Sequence, residues 1–354
     1  MRILFSGDEP VEHNDSNFSK LCEKHPPASD SPLVQISEIL AEVQSIQVTA
    51  EEVRKAVTSF PSGLAGGPDG IRPQHLVELL KCPVEGSQLL IALTSFINCL
   101  LNGNCPVSVR PILFGATLIA LNKKAGGIRP IAIGYVWRRI AAKCANAVGL
   151  SKLGSYLHPL QVGVGTAGGC EAAVHAARRI LKSMPSGHVI AKLDFNNAFN
   201  CIKRSVVLNE VHHNIPEILK FCVLAYGAPS KLRFGNYTIF SSEGVQQGDP
   251  LGPLLFSLAI HPLLLSLQSD FRLGYLDDVS IAGDSSSVAQ DVSRVIQACP
   301  DLGLRLNETK CELISNGSCN LPDVFSSFVQ VLPDDAPPTR CSSSFWRSHE
   351  YVSC

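Results

Sequence analysis

The sequence contains an adjacent pair of carboxylates in a setting where they could do chemistry. Asp277 and Asp278 lie in the stretch Tyr-Leu-Asp-Asp, between two short apolar runs at 271–274 and 279–282. This pattern predicts a β-hairpin whose tight turn carries both acids at its tip. Asp pairs are also common in ordinary turns, because the side chain hydrogen-bonds its own backbone. Neighbouring carboxylates repel, so a cation or a hydrogen-bond network must compensate for their charge.

A third acid, Asp194, ends a strand-like run at 188–194. Helices are predicted at about 204–213 and 216–226, followed later by the Asp-Asp hairpin, a helix near 285–299 and a short strand at 311–314. This order is that of a split β-α-β-β-α-β sheet, in which the first strand and the hairpin are neighbours. The sequence therefore predicts that Asp194 and Asp277 lie at adjacent strand ends. For Asp194 alone, a cap for the next segment is the simpler interpretation.

Clustered carboxylates point to a hard cation, because Mg²⁺ and Mn²⁺ prefer oxygen ligands. No accompanying set of His and Cys residues suggests zinc. Two such ions about 3.5–4 Å apart can activate a hydroxyl, bridge a triphosphate and stabilise pyrophosphate as it leaves. We therefore expect two Mg²⁺ ions, with Mn²⁺ as the alternative, bound by Asp194 and Asp277 and more weakly by Asp278.

A basic hairpin is predicted upstream, where strand-like runs at 116–121 and 128–133 flank a turn. Lys123 and Lys124 lie at its tip, and Arg129 lies just past it. These cations are either simply solvated or form a flap over the phosphates of a nucleotide. Residues 103–182 hold eleven Lys and Arg against one Glu, whereas residues 1–60 hold ten acids against five bases. This asymmetry favours a phosphate-bearing partner despite the overall charge of −1.

Composition excludes several classes of protein. A hydrophobic content of 45% with 17% charged residues describes a globular chain, not a disordered one. The apolar run 251–267 is interrupted by Pro253 and Pro262, which favours a buried helix over a membrane span. The N-terminus lacks the apolar stretch of a secretory signal, and none of the thirteen Cys forms a Cys-x-x-Cys pair. We therefore expect a protein with reduced thiols that is not secreted and resides in the cytoplasm, the nucleus or both.

The remaining segments are assigned from local signals. Residues 1–48 have little periodicity and are predicted to be a linker or N-terminal extension. Thr49 and Glu52 form a capping box that predicts a helix to about Phe60. Further predicted elements are helices at 73–81, 87–102, 136–150, 168–182 and 254–267, and a hairpin formed by 231–234 and 237–240.

Several motifs resemble those of a known family. Three of them, in this order and at these spacings, resemble the palm motifs of reverse transcriptases: Asp194-x4-Phe199, Gln247-Gly248-Asp249-Pro250-Leu251-Gly252-Pro253 and Tyr275-Leu276-Asp277-Asp278. Residues 67–73 and 124–131 resemble finger segments of the non-LTR (LINE-type) retrotransposon branch. The resemblance covers about residues 60–315.

The resemblance implies an α+β fold with the fingers and palm of a right-hand polymerase. The fingers would be 49–182 and the palm 183–320, with the reverse transcriptase core at about 105–320. The palm would be the split β-α-β-β-α-β antiparallel sheet with helices on one face. The activity implied is RNA-directed DNA polymerisation, in which dNTPs are added to a primer 3′-hydroxyl on an RNA template.

The resemblance also assigns residue roles. Asp194, Asp277 and Asp278 would hold the two metals, assisted by the main chain of Phe195. Nucleotide contacts would come from Lys123 or Lys124, Arg129, Gln247 and Gly248. Phe199 would stack under the sugar and exclude a 2′-hydroxyl. Lys310 would protonate pyrophosphate.

The chain also departs from the family pattern. The family often has Lys and Asp where this chain has Asn197 and Asn200. After Ile314 a thumb is expected, but residues 321–354 show almost no helical pattern and are predicted to be an irregular tail. The sequence therefore resembles a fragment without a thumb, and an inactive, nucleic-acid-binding remnant is the alternative to an active polymerase. An RNA-directed RNA polymerase ranks third, because it would need a polar group at Phe199.

Overall fold

The computed structural model describes residues 9–30, 39–40, 42–123, 126–315 and 321–331. The chain forms two compact units, which we call the first unit (Met1–Ser151 with Phe199–Leu255) and the second unit (Lys152–Ala198 with Phe256–Ser353). The sequence predicted one continuous stretch for each domain. In the structure each unit combines stretches that are far apart in sequence.

Helices and strands are interspersed along the chain. The described helices are α1 Asp15–Lys24, α2 Ala50–Thr58, α3 Pro73–Leu79, α4 Glu85–Leu101, α5 Arg110–Leu113, α6 Val136–Leu157, α7 Gly169–Ser183, α8 Ala198–Cys201, α9 Arg204–Asn214, α10 Leu219–Tyr226, α11 Gly252–Ser266 and α12 Ser285–Leu302. The described strands are β1 Ala116–Asn122, β2 Ile128–Gly134, β3 His188–Leu193, β4 Ser230–Phe234, β5 Tyr237–Ser241, β6 Phe271–Tyr275, β7 Asp278–Asp284, β8 Glu312–Ser315 and β9 Val329–Val331. No helix in the described ranges combines the length and the apolar character needed to cross a membrane.

The first unit is built on a four-stranded sheet in the order β2-β1-β4-β5. Both predicted hairpins are confirmed: β1 pairs antiparallel with β2, and β4 pairs antiparallel with β5. The two hairpins are joined where β1 runs parallel to β4, with Ala116 opposite Leu232. The sheet buries Leu118, Leu232 and Phe234 in one apolar cluster.

Part of the predicted N-terminal linker is packed structure. Leu21 of α1 is completely buried in the core of the first unit, and the Phe18 ring stacks on Tyr237 with centroids 4.6 Å apart. The Val11 N–H donates to the Ala120 carbonyl at 2.9 Å, which ties the segment to β1. Of the two interpretations of 1–48, a linker or an N-terminal extension, residues 9–25 therefore fit the N-terminal extension. A ten-residue helix is marginal on its own, so it depends on tertiary contacts that local sequence does not reveal.

The second unit is built on a five-stranded sheet in the order β6-β7-β3-β8-β9. Its first four strands pair antiparallel and occur in the predicted β-α-β-β-α-β order, so the split arrangement is confirmed. β9 adds a parallel edge strand beside β8. This strand lies in the predicted irregular tail, 321–354, of which residues 332–354 lie outside the described residues. Helix α12, which connects β7 to β8, packs on β7 and β3.

Candidate active site

The Asp-Asp hairpin closes with a two-residue turn. Tyr275 pairs with Asp278, so Leu276 and Asp277 form the turn itself. Asp277 lies at the tip, whereas Asp278 is the first residue of β7 and is buried, which refines the prediction that both acids lie at the tip. Leu276 has a φ of 57°, in the left-handed region that a non-glycine residue rarely adopts. Such a conformation persists only where the surroundings hold it.

The surroundings of Leu276 include a buried amide from a distant segment. The Leu276 N–H donates to Oε1 of Gln161 at 2.8 Å, and Nε2 of Gln161 donates to the Leu276 carbonyl at 3.2 Å. Gln161 has no exposed surface. Gln161 is not among the residues predicted from the sequence. A single Gln in a loop carries no pattern that distinguishes it from a surface residue.

Asp194 lies beside the hairpin. The last paired residues of β3 and β7 are Leu193 and Val279, so Asp194 and Asp278 occupy the next opposed positions along the two strands. Opposed residues of antiparallel strands have Cα atoms about 4.5–5.5 Å apart. The structure thus brings together acids that are more than eighty residues apart in the sequence.

The pKa of the Asp194 carboxyl reflects this crowding. Burial is the main cause of its raised pKa, and the charges of Asp278 and Asp277 raise it further. The Lys310 ammonium and a hydrogen bond from the Asn307 side chain act in the opposite direction. Lys310, the predicted proton donor, is therefore close enough to influence this carboxyl. A bound cation would favour the ionised form of the Asp194 carboxyl.

The segment before β8 fixes the backbone around Asp194. The Asn307 N–H donates to the Asp194 carbonyl at 2.8 Å, and Phe195 forms a β-bridge with Leu306. The carbonyl of Asn307 also accepts the Lys310 N–H at 2.8 Å, which closes the short helical turn that carries Lys310. Phe195 is buried, and these contacts hold the backbone at Asp194 and at the residue that follows it.

The donor chemistry of this cluster fits a divalent metal. Three carboxylates meet at one end of the sheet, and hard cations prefer such oxygen ligands. Within the ranges that the structure describes, no group of three or more His, Cys, Asp or Glu side chains is placed so that it could hold a metal ion. Mg²⁺ does not require such a group, because it is usually bound by one or two carboxylates together with water and substrate phosphates.

A second group of predicted residues lies in the first unit, against the β1–β2 hairpin. The Ala132 N–H of β2 donates to the Gln247 carbonyl at 2.7 Å. Gly248 has a φ of 113°, and a Cβ there would lie 2.5 Å from the Ala132 carbonyl oxygen, so this position requires glycine. Arg129 lies on the same strand as Ala132, opposite Leu121.

The tip of that hairpin carries the predicted lysines. The Lys123 N–H donates to the Gly127 carbonyl at 3.0 Å, which closes the turn, and Lys123 is exposed. Lys124 lies outside the described residues, so its predicted nucleotide contact stays a prediction.

A buried polar network supports the loop that contains Gln247 and Gly248. Arg138 is 2% exposed and donates to Asp249 at 2.7 Å and to Oε1 of Gln246 at 2.6 Å. The Tyr226 hydroxyl donates to the same Asp249 oxygen. The sequence does not predict this network, and it indicates a larger basic surface than the structure has. Arg138 and Arg139, which are among the eleven cations of residues 103–182, are both buried.

Phe199, the predicted sugar-stacking residue, belongs to the first unit. It lies in the single turn α8 and is half-buried. Its carbonyl accepts the Val245 N–H at 2.7 Å, which connects it to the segment just before Gln246. The neighbouring Asn200 is buried at 4% exposure.

Comparison with known proteins adds independent information. Residues 121–338, more than half of the chain, match the family described as reverse transcriptase (RNA-dependent DNA polymerase). The chain is 28% identical over 281 residues to the retrotransposable element SLACS 132 kDa protein of Trypanosoma brucei gambiense, covering 76% of this chain and 23% of that protein. It is 26% identical over 328 residues to the retrovirus-related Pol polyprotein from type-2 retrotransposable element R2DM of Drosophila melanogaster, covering 82% of this chain and 28% of that protein.

The chain thus spans about a quarter of the length of these curated relatives. Among solved structures, apo telomerase from Candida tropicalis, truncated from the C-terminal domain, aligns at 14% identity with a TM-score of 0.45. That alignment covers 59% of this chain and 52% of that chain.

Proposed function

The chain belongs to the reverse transcriptase family, and on that premise we propose that it is the RNA-directed DNA polymerase domain of a non-LTR retrotransposon protein. Its substrates would be dNTPs, a DNA primer and an RNA template. The observation that carries the proposal is the meeting of Asp194, Asp277 and Asp278 at one end of the second-unit sheet. Crowded acids repel one another and destabilise the fold unless a cation or hydrogen bonds compensate, so their meeting supports a role in binding a cation.

In the proposed reaction the primer 3′-hydroxyl attacks the α-phosphate of a bound dNTP, and pyrophosphate leaves. Asp194, Asp277 and Asp278 would hold two Mg²⁺ ions, assisted by the Phe195 main chain. When bound, the ions supply positive charge to the phosphates and make the attacking hydroxyl more acidic. Lys310, whose ammonium acts on the pKa of Asp194, is the group that would transfer a proton to pyrophosphate.

The nucleotide would be bound by the basic hairpin and the loop that contains Gln247. Lys123, Lys124 and Arg129 would contact the triphosphate, since guanidinium and ammonium groups pair with phosphate oxygens. Gln247 and Gly248 would line the nucleotide and template contacts. The close approach of Gly248 to β2 supports this role, because it leaves the loop backbone without a side chain at that point.

The decisive experiment is primer extension by the purified chain on poly(rA)/oligo(dT) with Mg²⁺. The wild type is expected to incorporate dTTP, and Asp277→Asn to reduce incorporation by at least about 10³-fold, since removing a metal ligand removes most of the electrostatic stabilisation. The exposed Asp301 on α12 provides the matched control, and Asp301→Asn should behave as the wild type.

Two results would overturn parts of the proposal. Unchanged incorporation by Asp277→Asn would remove the metal-ligand role. Salt-dependent RNA binding by a wild type that incorporates no nucleotide would instead favour the second candidate, an inactive nucleic-acid-binding remnant.

A further inference from the structure

The segment before α7 lies along β6, the edge strand of the Asp-Asp hairpin. Gln161 forms a parallel β-bridge with Gly274 of β6. The Gly274 N–H donates to the Leu160 carbonyl at 2.6 Å, and the Val162 N–H donates to the Gly274 carbonyl at 2.9 Å. These backbone bonds occupy the edge of β6 and set the position of the Gln161 side chain relative to the turn.

The Gln161 amide satisfies both polar groups of the Leu276 backbone. Its Oε1 also accepts the Gly163 N–H at 3.2 Å, so the orientation of the amide is defined. Neither bond to Leu276 would be needed to cover the β6 edge, because the backbone of 160–162 already does so. The side chain acts specifically on the residue that has a left-handed φ and that immediately precedes Asp277.

Two glycines make room for this contact. A Cβ on Gly274 would lie 2.9 Å from Nε2 of Gln161. A Cβ on Gly163 would lie 2.6 Å from the Leu276 nitrogen and 2.9 Å from its Cγ. Gly163 does not have a positive φ, so proximity to Leu276, and not backbone conformation, is what requires glycine there.

We propose that Gln161 is a positioning residue for catalysis: its buried amide holds the Leu276 peptide in the left-handed turn and thereby fixes the direction of the Asp277 carboxylate. This inference rests on the proposed function, since it assigns Asp277 the role of a metal ligand. Gln161 does not touch substrate or metal in this assignment. Residues that orient metal ligands typically contribute about 10- to 100-fold in metal affinity or activity.

The test uses the full chain with three substitutions. Gln161→Met keeps the length and apolar stem but removes both hydrogen bonds to Leu276. Gly163→Ala leaves Gln161 unchanged and displaces the turn by direct contact. Gly154→Ala is the matched control, because a Cβ at Gly154 meets open space.

Three measurements separate positioning from a general loss of structure. Amide hydrogen exchange of the peptide covering 270–280 reports the turn, Mn²⁺ titration followed by electron paramagnetic resonance reports metal binding, and primer extension reports kcat and KM separately. We expect Gln161→Met and Gly163→Ala to accelerate exchange at 270–280, weaken Mn²⁺ binding about 10-fold or more and lower kcat about 10- to 100-fold with KM for dTTP little changed. Gly154→Ala should match the wild type in all three.

Faster exchange in Gln161→Met with unchanged Mn²⁺ affinity and unchanged kcat would overturn the proposal, because the turn would then have moved without consequence. An equal loss of exchange protection across the whole chain in Gln161→Met would also overturn the proposal, since Gln161 would then stabilise the fold as a whole and not the turn. If the wild type incorporates no nucleotide, the proposed function fails, and exchange and Mn²⁺ binding still decide whether Gln161 positions Asp277.

Discussion

At the scale of single residues, three acids are crowded at one end of the second-unit sheet, and under the proposed function a bound cation would compensate for their repulsion. Burial raises the pKa of Asp194, and the charges of Asp278 and Asp277 raise it further, so the ionised carboxylate is disfavoured in the folded state. Functional sites commonly carry such strain, and substitutions that remove it stabilise the protein while abolishing activity. The same three residues should therefore show opposite effects on stability and on catalysis.

We predict that Asp194→Asn eliminates primer extension and raises the thermal midpoint in EDTA at neutral pH. The amide keeps the size of the side chain but removes the buried charge and its repulsion from Asp277 and Asp278. An increase of about 2–4 °C would correspond to ~1 kcal/mol in a unit of this size. Differential scanning calorimetry of the wild type and Asp194→Asn measures the change in thermal midpoint. Asp301→Asn, at an exposed position, is the control. A lowered midpoint for Asp194→Asn would show that this carboxylate stabilises the metal-free protein.

A separate prediction concerns the role of Phe199 in discriminating between deoxyribonucleotides and ribonucleotides. If the ring lies under the sugar of the incoming nucleotide, Phe199→Ala opens space for a 2′-hydroxyl, and selectivity based on steric exclusion is lost. We expect the ratio of kcat/KM for dTTP to that for UTP to fall by at least about 10-fold, because one excluded group is typically worth 1–3 kcal/mol. Phe240→Ala, which removes an exposed ring in the same unit, should leave the ratio unchanged. Continued rejection of UTP by Phe199→Ala would refute the steric role.

At the scale of elements, β7 passes directly into α12 through a single capping residue. Asp284 is the N-cap of α12, and its Oδ1 accepts the N–H groups of Ser286 and Ser287, each at 3.1 Å. Hydrogen bonds from Ser287 and then Ser286 lower the pKa of Asp284 to about 2, from an ordinary value of 3.8. The cap thus anchors the helix that packs behind the strand carrying Asp278.

The lowered pKa of Asp284 determines how the free energy of unfolding changes with pH. The ionised cap favours the folded state, so its contribution is complete above pH 3.8 and is lost as the pH falls toward about 2. We expect Asp284→Ala to lower the unfolding free energy by about 1 kcal/mol at pH 7, the usual cost of losing an N-cap. Urea titrations of both proteins between pH 7 and pH 2.5 should show this difference shrinking below pH 4. A difference that stays constant over that range would exclude the carboxylate as its source.

The elements predicted correctly are those whose signals are local. Thr49 and Glu52 form the predicted capping box within one helical turn, and the hairpins follow from alternating runs around short turns. Helix α1 was missed because Leu21 and Phe18 are stabilised by a sheet formed more than ninety residues later. The same limit applies at the site: motif residues such as Asp194 are recognisable by type and spacing, whereas Gln161 and Arg138 acquire their roles only through burial beside distant partners.

At the scale of the whole molecule, neither unit is a continuous piece of sequence. The first unit combines Met1–Ser151 with Phe199–Leu255, and its sheet is complete only when β1 pairs with β4. The buried Arg138 comes from the earlier stretch, and its partners Asp249, Gln246 and Tyr226 come from the later one. Folding of this unit therefore requires contacts across more than one hundred residues, which makes it dependent on most of the chain.

We predict that the fragment 1–182, which contains all of the fingers predicted from sequence, does not fold cooperatively by itself. Without residues 199–255, β1 exposes an unpaired edge, and the Arg138 guanidinium loses the carboxylate that neutralises it. Removing one partner of a buried ion pair alone costs about 3–5 kcal/mol, a large share of the 5–15 kcal/mol by which domains are stable. Urea unfolding followed by circular dichroism should show a broad, shallow change for the fragment and a cooperative transition for the full chain.

The fragment 1–255 shows whether 1–182 fails to fold because its first unit is incomplete. It restores β4, β5 and Asp249 to the first unit while still lacking the hairpin that carries Asp277. If completing the first unit is what matters, 1–255 should regain a cooperative transition that 1–182 lacks, and Arg138→Met should weaken that transition in 1–255. A cooperative transition in 1–182 with the midpoint of the full chain would instead mean that the pairing of β1 with β4 and the Arg138–Asp249 ion pair contribute little to the stability of the first unit.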